Sequence, residues 1–271
     1  VDLDGEALWV RSRGDELLVA VSPYLRSSLR LHRLDVSAPA SPRVVGAAGL
    51  DGVRGYPPML DVAGNVLWAV DQDAGLTAYD LADLAAMRIL GRLRLGKAEA
   101  QDGWLHGFAL GDGLAFVSYG KPSWCGLLVA DVSDPTAPRW IGRTPLAPCW
   151  AGHVAVGEGR VYAGAADPVV AYDVTDPSAP REIARVVTGQ GNIGNMVLAG
   201  HRLHVAGCAA ELRIVDVADP TKPRLVGALP VDLETRVAAV DDEHLYLVGP
   251  NDSVSDPDVG FLVVDPDPWS G

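Results

Sequence analysis

A chain of 271 residues with 48% hydrophobic content and a mean hydropathy of +0.15 has ample material for one large domain or two ordinary ones. Its net charge of −13, from 22 basic and 35 acidic residues, argues against sequence-independent binding to nucleic acid or an anionic membrane. No apolar run is long enough to cross a bilayer, and three cysteines (Cys125, Cys149 and Cys208) are too few for a disulfide framework and match no zinc-ligand spacing.

The chain begins at Val1 with neither an initiating Met nor a signal-like apolar stretch, which reads as a mature or trimmed start. After the opening VDLDGEALWV, a unit recurs along the chain. Its copies are LRLHRLDVSAPASPRVVG at 29–46, LTAYDLADLAAMRILG at 76–91, GLLVADVSDPTAPRWIGRTPL at 126–146, VVAYDVTDPSAPREIA at 169–184 and LRIVDVADPTKPRLVG at 212–227. A shorter copy, FLVVDPDPWSG, starts at Phe261.

Each unit opens with an apolar strand that stops at an Asp: Asp35, Asp80, Asp131, Asp173, Asp216 and Asp265. In four copies a Pro stands four residues on (Pro39, Pro135, Pro177, Pro220), where its missing N–H blocks further pairing. A second strand then begins at an Arg, always eight residues after the Asp: Arg43, Arg88, Arg139, Arg181 and Arg224. Five equal offsets mark an internal repeat. Because the Asp/Arg pairs recur in five units, they are expected to be structural, with Asp capping a turn and Arg pairing nearby.

Upstream of each Asp strand lies a hairpin: LDVAGNVLWAV, FALGDGLAFVSY, HVAVGEGRVYAG, MVLAGHRLHVAG and AAVDDEHLYLVG. Helical periodicity is absent; the weak run at 81–87 reads as a turn. The Asp markers are 45, 51, 42, 43 and 49 residues apart, a spacing that suits four short strands per unit. The prediction is therefore all-β: a six-bladed β-propeller of four-stranded antiparallel blades, forming a single domain over 1–271. The last blade is short of a strand, so the N-terminal segment is expected to supply its outer one and remove two exposed edges.

The tandem LxVxDVSDPxxPRxVG units resemble the LVIVD-repeat family of β-propellers. That resemblance implies a bacterial, often exported propeller, and it names no activity, since the family has none in common. The chain departs from the pattern at 80–87, where the Pro residues are replaced, and at the shortened unit of Asp265.

Within such a blade the hairpin turns and the Asp–Pro turns lie on one face and read as uniform joints. Connections on the other face vary, and variable loops on a repeat scaffold are where function usually sits. Trp104, His106, Tyr119, Lys121, Trp124, Trp150, His153, Asn192, Asn195 and Arg236 all fall in these connections. Of these, Trp104, His106, Tyr119, Trp124, Trp150, His153, Asn195 and Arg236 are the candidate ligand-binding residues, ringing the mouth of a central channel. The alternative for each aromatic is that it covers the end of the sheet core.

No catalytic set emerges, and no cofactor or metal site is expected. His106 and His153 fall near the channel mouth but lack an identifiable carboxylate partner. Residues 189–194 spell GxGxxG, yet a strand rather than a helix follows, which excludes a dinucleotide fingerprint. Asp252, Asp256 and Asp258 do not have EF-hand spacing.

Two functions remain. One is a non-catalytic binding or scaffolding propeller that offers its irregular face to a protein, glycan or small ligand, with no nucleic acid and no membrane insertion. The other is a lactonase-like, metal-assisted hydrolase at the channel mouth. Cys125 and Cys149 fall in irregular loops of neighbouring blades and each adjoins a Trp. They are either a disulfide, which would fit an extracellular or periplasmic protein, or two free thiols in a cytoplasmic one.

Overall fold

A computed structural model of the chain describes residues 3, 5–22, 29–38, 40–50, 53, 59–71, 75–95, 104–121, 124–145, 152–164, 167–191, 193–207, 211–230, 237–240, 245–249 and 260–264. These form strands and turns, with no helix among the described residues. The first sheet is β1 (Glu6–Arg13), β2 (Glu16–Ser22), β3 (Leu29–Asp35) and β4 (Arg43–Leu50). The second is β5 (Met59–Ala63), β6 (Val66–Asp71), β7 (Gly75–Asp80) and β8 (Ile89–Leu93). The third is β9 (Trp104–Gly111), β10 (Leu114–Lys121), β11 (Trp124–Asp131) and β12 (Arg139–Pro145). The fourth is β13 (His153–Gly157), β14 (Arg160–Gly164), β15 (Val169–Asp173) and β16 (Arg181–Val186). The fifth is β17 (Ile193–Ala199), β18 (Arg202–Gly207), β19 (Glu211–Asp216) and β20 (Arg224–Pro230). Neighbours in each sheet follow chain order, the meander of a propeller blade.

The expectation of six four-stranded blades is corrected: five sheets have four strands. The remaining sheet, β21 (Val237–Val240), β22 (Leu245–Gly249) and β23 (Gly260–Val264), has three among the described residues. Beyond it, Pro266 and Pro268 stand where the other units place turn residues, and neither has an N–H for a ladder. Closure by the N-terminal segment is corrected as well. β1 pairs with β2 from Glu6↔Ser22 to Arg13↔Glu16, in its own sheet. Leu3 packs with Val19 and Val21, and a Cβ on Gly5 would meet the Ser22 carbonyl oxygen at 2.5 Å. Leu3 and Gly5 thus lie against the first blade.

By backbone contacts the chain divides into two compact units: Val1–Ala115 with Ala130–Trp140, and Phe116–Val129 with Ile141–Gly271. In the first, Leu18, Leu31, Leu50, Leu67 and Tyr79 build a core from the facing sides of the first two sheets. In the second, Tyr162, Val169, Met196, Leu203 and Val215 do the same for the fourth and fifth. Apolar side chains enclosed between sheets are what the alternating strands require.

The repeated turns are closed on themselves. Each of the five described marker Asp residues accepts the backbone N–H two residues on: Asp35 from Ser37 (3.0 Å), Asp80 from Ala82 (2.9 Å), Asp131 from Ser133 (3.1 Å), Asp173 from Thr175 (3.0 Å) and Asp216 from Ala218 (3.1 Å). The other carboxylate oxygen takes the Arg eight residues on, at 2.6 Å for Arg43, 2.9 Å for Arg88, 2.8 Å for Arg139, 3.3 Å for Arg181 and 2.9 Å for Arg224. These Arg side chains are 73–74% exposed, so the pairs fix turn geometry more than they stabilise the fold.

A second Asp repeats the device in three copies: Asp134, Asp176 and Asp219 accept both the N–H and the hydroxyl of Thr136, Ser178 and Thr221. The residue after each marker then donates to the hairpin turn beside it. These bonds are Val36 to Asp15, Leu81 to Asn65, Val132 to Gly113, Val174 to Gly159 and Val217 to His201. Both kinds of turn therefore share one end of each blade, as their uniform sequences predict.

These hydrogen bonds set a pH dependence. The Ser37 and Ser133 hydroxyls, with the Arg partners, hold Asp35 and Asp131 at about 2. Asp80, Asp173 and Asp216 are lowered chiefly by backbone N–H groups, and Asp134, Asp176 and Asp219 by the neighbouring hydroxyl. A carboxylate whose folded pKa lies below its unfolded value of about 3.9 stabilises the fold fully above that value. The contribution is lost as pH falls toward the folded pKa. The melting temperature is accordingly expected to hold near neutrality and to fall between about pH 4 and pH 2. A melting temperature flat across that interval would show that the turns do not depend on ionised carboxylates.

Candidate functional site

In the first unit, Trp104 and His106 stand two residues apart on β9, on the face opposite buried Leu105. Trp104 is 58% exposed, whereas Trp68 on β6 is wholly enclosed. His106 is exposed too, yet neighbouring atoms crowd its ring and hold its pKa below the ordinary imidazole value. The ring is therefore neutral at pH 7, able to donate from one nitrogen and accept at the other. Further along the inner strands of this unit, Asp61 on β5 accepts from Arg11 of β1 (2.5 Å) and from the Leu110 N–H of β9 (3.2 Å). That carboxylate ties three first strands together and so steadies the strand that carries Trp104.

In the second unit the predicted residues separate. Tyr119 is 0% exposed and belongs to the sheet core, the alternative reading for an aromatic at a strand end. Trp124 opens β11, but its side chain lies outside the described residues. His153 opens β13 and is half-buried, directly after Gly152, whose carbonyl accepts from the Ser118 hydroxyl of β10. Asn195 turns its amide oxygen back to the Met196 N–H (2.9 Å) at the irregular start of β17. Trp150, Asn192, Arg236 and the acidic loop of Asp252, Asp256 and Asp258 fall outside the described residues, as do Cys149 and Cys208. Cys125 is buried and disulfide-bonded, to a partner outside the described residues.

A feature that sequence reasoning missed sits between the fourth and fifth sheets. The Asp167 carboxylate accepts from the Thr188 N–H (2.8 Å), the Thr188 hydroxyl (2.6 Å) and the Gly189 N–H (2.5 Å). This latch turns Gln190 inward, where it is buried and donates to the Glu211 carbonyl (2.5 Å). Two glycines serve that turn: Gly189 and Gly191 have φ of 79° and 70°, which only glycine adopts freely. An Asp–Pro pair ahead of a strand was the available signal, but its partner lies twenty-one residues on.

Among the described residues, no group of three or more His, Cys, Asp or Glu side chains converges as a metal site. No helix among them is long and apolar enough to cross a membrane.

A family model described as LVIVD repeat matches residues 122–144 and 190–230, over the third and fifth copies of the unit. No curated protein matches the chain. Many solved structures are similar in fold, three of which follow. The computationally designed Ika8 protein is 8% identical with a TM-score of 0.64, covering 91% of this chain and 69% of its own. A functionally unknown protein from Desulfotomaculum acetoxidans DSM 771 is 13% identical with a TM-score of 0.62, covering 90% and 77%. BamB from Moraxella catarrhalis is 11% identical with a TM-score of 0.55, covering 91% and 82%. At such identities these likenesses carry the fold alone.

Proposed function

Because the chain carries LVIVD repeats folded into propeller blades, we propose that it is a non-catalytic binding or scaffolding protein. Its partner, a protein, glycan or small ligand, meets the ends of the blades that carry unlike connections. The contrast between blade ends supports this reading. At one end the marker carboxylates are already engaged by their own turns and Arg partners. At the other, connections differ from blade to blade, and Trp104 offers an open indole beside the neutral His106. An exposed Trp next to a neutral donor–acceptor ring provides stacking area together with hydrogen bonds, a combination common at recognition surfaces.

Capture with immobilised protein tests the proposal through paired variants. A ligand retained by the parent chain should be lost by Trp104→Ala/His106→Ala and kept by Arg139→Ala, which alters only the repeated end. The opposite pattern would place recognition at the Asp turns and overturn the reading.

A further inference from the structure

The outer strands of the five four-stranded blades differ in one respect. On β4, β12, β16 and β20 the leading Arg is tied to its marker Asp, and Arg185 of β16 is held by Glu182 at 2.6 and 2.8 Å. On β8, Arg88 is tied to Asp80 in the same way, but Arg92 and the following Arg94 are exposed, with no carboxylate partner among the described residues. They are two residues apart in an extended chain, so their guanidinium groups leave the same side about 7 Å apart. Residues 84–97 contain no acidic side chain, in a protein whose net charge is −13. β8 closes its sheet, in the order β5-β6-β7-β8, and no described strand pairs with its outer edge. Its far end is pinned, since the Arg94 carbonyl accepts from the Trp140 indole at 2.9 Å.

We propose that the outer edge of β8 is a docking edge for an extended acidic segment of a partner protein, which adds a strand and places alternate carboxylates on Arg92 and Arg94. Strand addition uses the N–H and C=O groups left unpaired on the edge for affinity, the Arg94 carbonyl being already taken by Trp140, and alternate side chains for selectivity. Arg–carboxylate pairing is bidentate and directional, which fixes the register. Charged side chains also deter unwanted edge pairing, and that role would fit any outer strand. Yet β4, with Val44 43% and Val45 55% exposed, is the more apolar edge and has no unpaired cation. Deterrence alone would put the free charges there. Nucleic acid is the poorer occupant: two guanidinium groups neutralise few phosphates, and the net charge repels a polyanion at range.

The test uses the full chain and a fluorescein-labelled peptide of alternating Val and Glu, followed by fluorescence polarisation. A Val–Lys peptide and an oligothymidylate serve as comparisons. The Glu peptide should bind, and Arg92→Glu/Arg94→Glu should weaken it by at least roughly tenfold. Val44→Glu on β4 and Trp104→Ala should leave that binding unchanged. The latter separates this edge from the site proposed above. Arg92→Gln/Arg94→Gln, read alongside its melting curve, guards against simple misfolding. Absence of Glu-peptide binding, equal binding of the Lys peptide, insensitivity to charge reversal, or preference of the same two residues for the oligothymidylate would each overturn the proposal.

Discussion

Gly142→Ala is expected to destabilise the protein by about 1–3 kcal/mol, the range for forcing extra volume into a packed site. Replacing glycine by alanine within a strand ordinarily stabilises by roughly 0.5–1 kcal/mol, because glycine loses more freedom on folding. Here the geometry reverses that sign. A Cβ on Gly142 would overlap the Pro177 carbonyl oxygen and lie 3.1 Å from its carbon, in the Asp–Pro turn of the following blade. Gly91 stands in the same relation to the Pro135 carbonyl, and Gly46 lies 3.2 Å from Leu84 Cδ2. The repeat glycine is therefore where one blade's outer strand meets the next blade's turn, and its role is to let two backbones approach.

The fourth blade carries Ala184 at this place, half-buried against the core, so that joint already accommodates a Cβ. Ala184→Gly should then cost only the backbone term, about 0.5–1 kcal/mol. Urea unfolding distinguishes the two, since a fall in midpoint at constant slope reports stability alone. If Gly142→Ala matched or exceeded the parent, the neighbouring turn would be shown to yield freely.

How far the repeat could be read depended on whether a feature is local. The Asp-to-Arg offset was legible because each pair closes a turn within eight residues, as Asp131 and Arg139 do. The hairpins were legible for the same reason: Glu158 and Gly159, both with positive φ, form a two-residue turn between Gly157 and Arg160. Registers were not. Four blades slip by one residue just before the marker Asp, opposite Val45, Leu90, Ile183 and Val226. A bulge is decided by the partner strand and leaves no mark in the apolar pattern. Tyr119 was misplaced for a related reason. Residues 115–120 of β10 are buried throughout, so no alternation tells inward from outward. The candidate site was the least legible part: Trp104 and His106 share an exposed face, but the Asp167 latch joins residues whose sequences hold no common pattern.

Non-reducing peptide mapping is expected to show Cys125 linked to Cys149. Cys125 is disulfide-bonded, and the chain's other cysteines are Cys149 and Cys208. The Ser118 hydroxyl near the end of β10 donates to the Gly152 carbonyl, bringing the chain just after Cys149 to the hairpin that carries Cys125. Three residues span at most about 10 Å, which keeps Cys149 within reach. Cys208 follows β18, two sheets further along. A bridge closing a loop of about 25 residues restricts the unfolded chain by roughly 3–4 kcal/mol in the loop-entropy model. Cys149→Ser should therefore lower the melting temperature of the oxidised protein by several degrees and free Cys125 for alkylation. Cys208→Ser should do neither. Were Cys208→Ser the variant that frees Cys125, the pairing would be Cys125–Cys208 and this assignment would fall. Either bridge persists in an oxidising compartment and is lost in a reducing one, and on that ground we propose an extracellular or periplasmic protein. A fully alkylatable Cys125 in protein prepared from its native cells, with thiols trapped at lysis, would place the chain in a reducing compartment and overturn it.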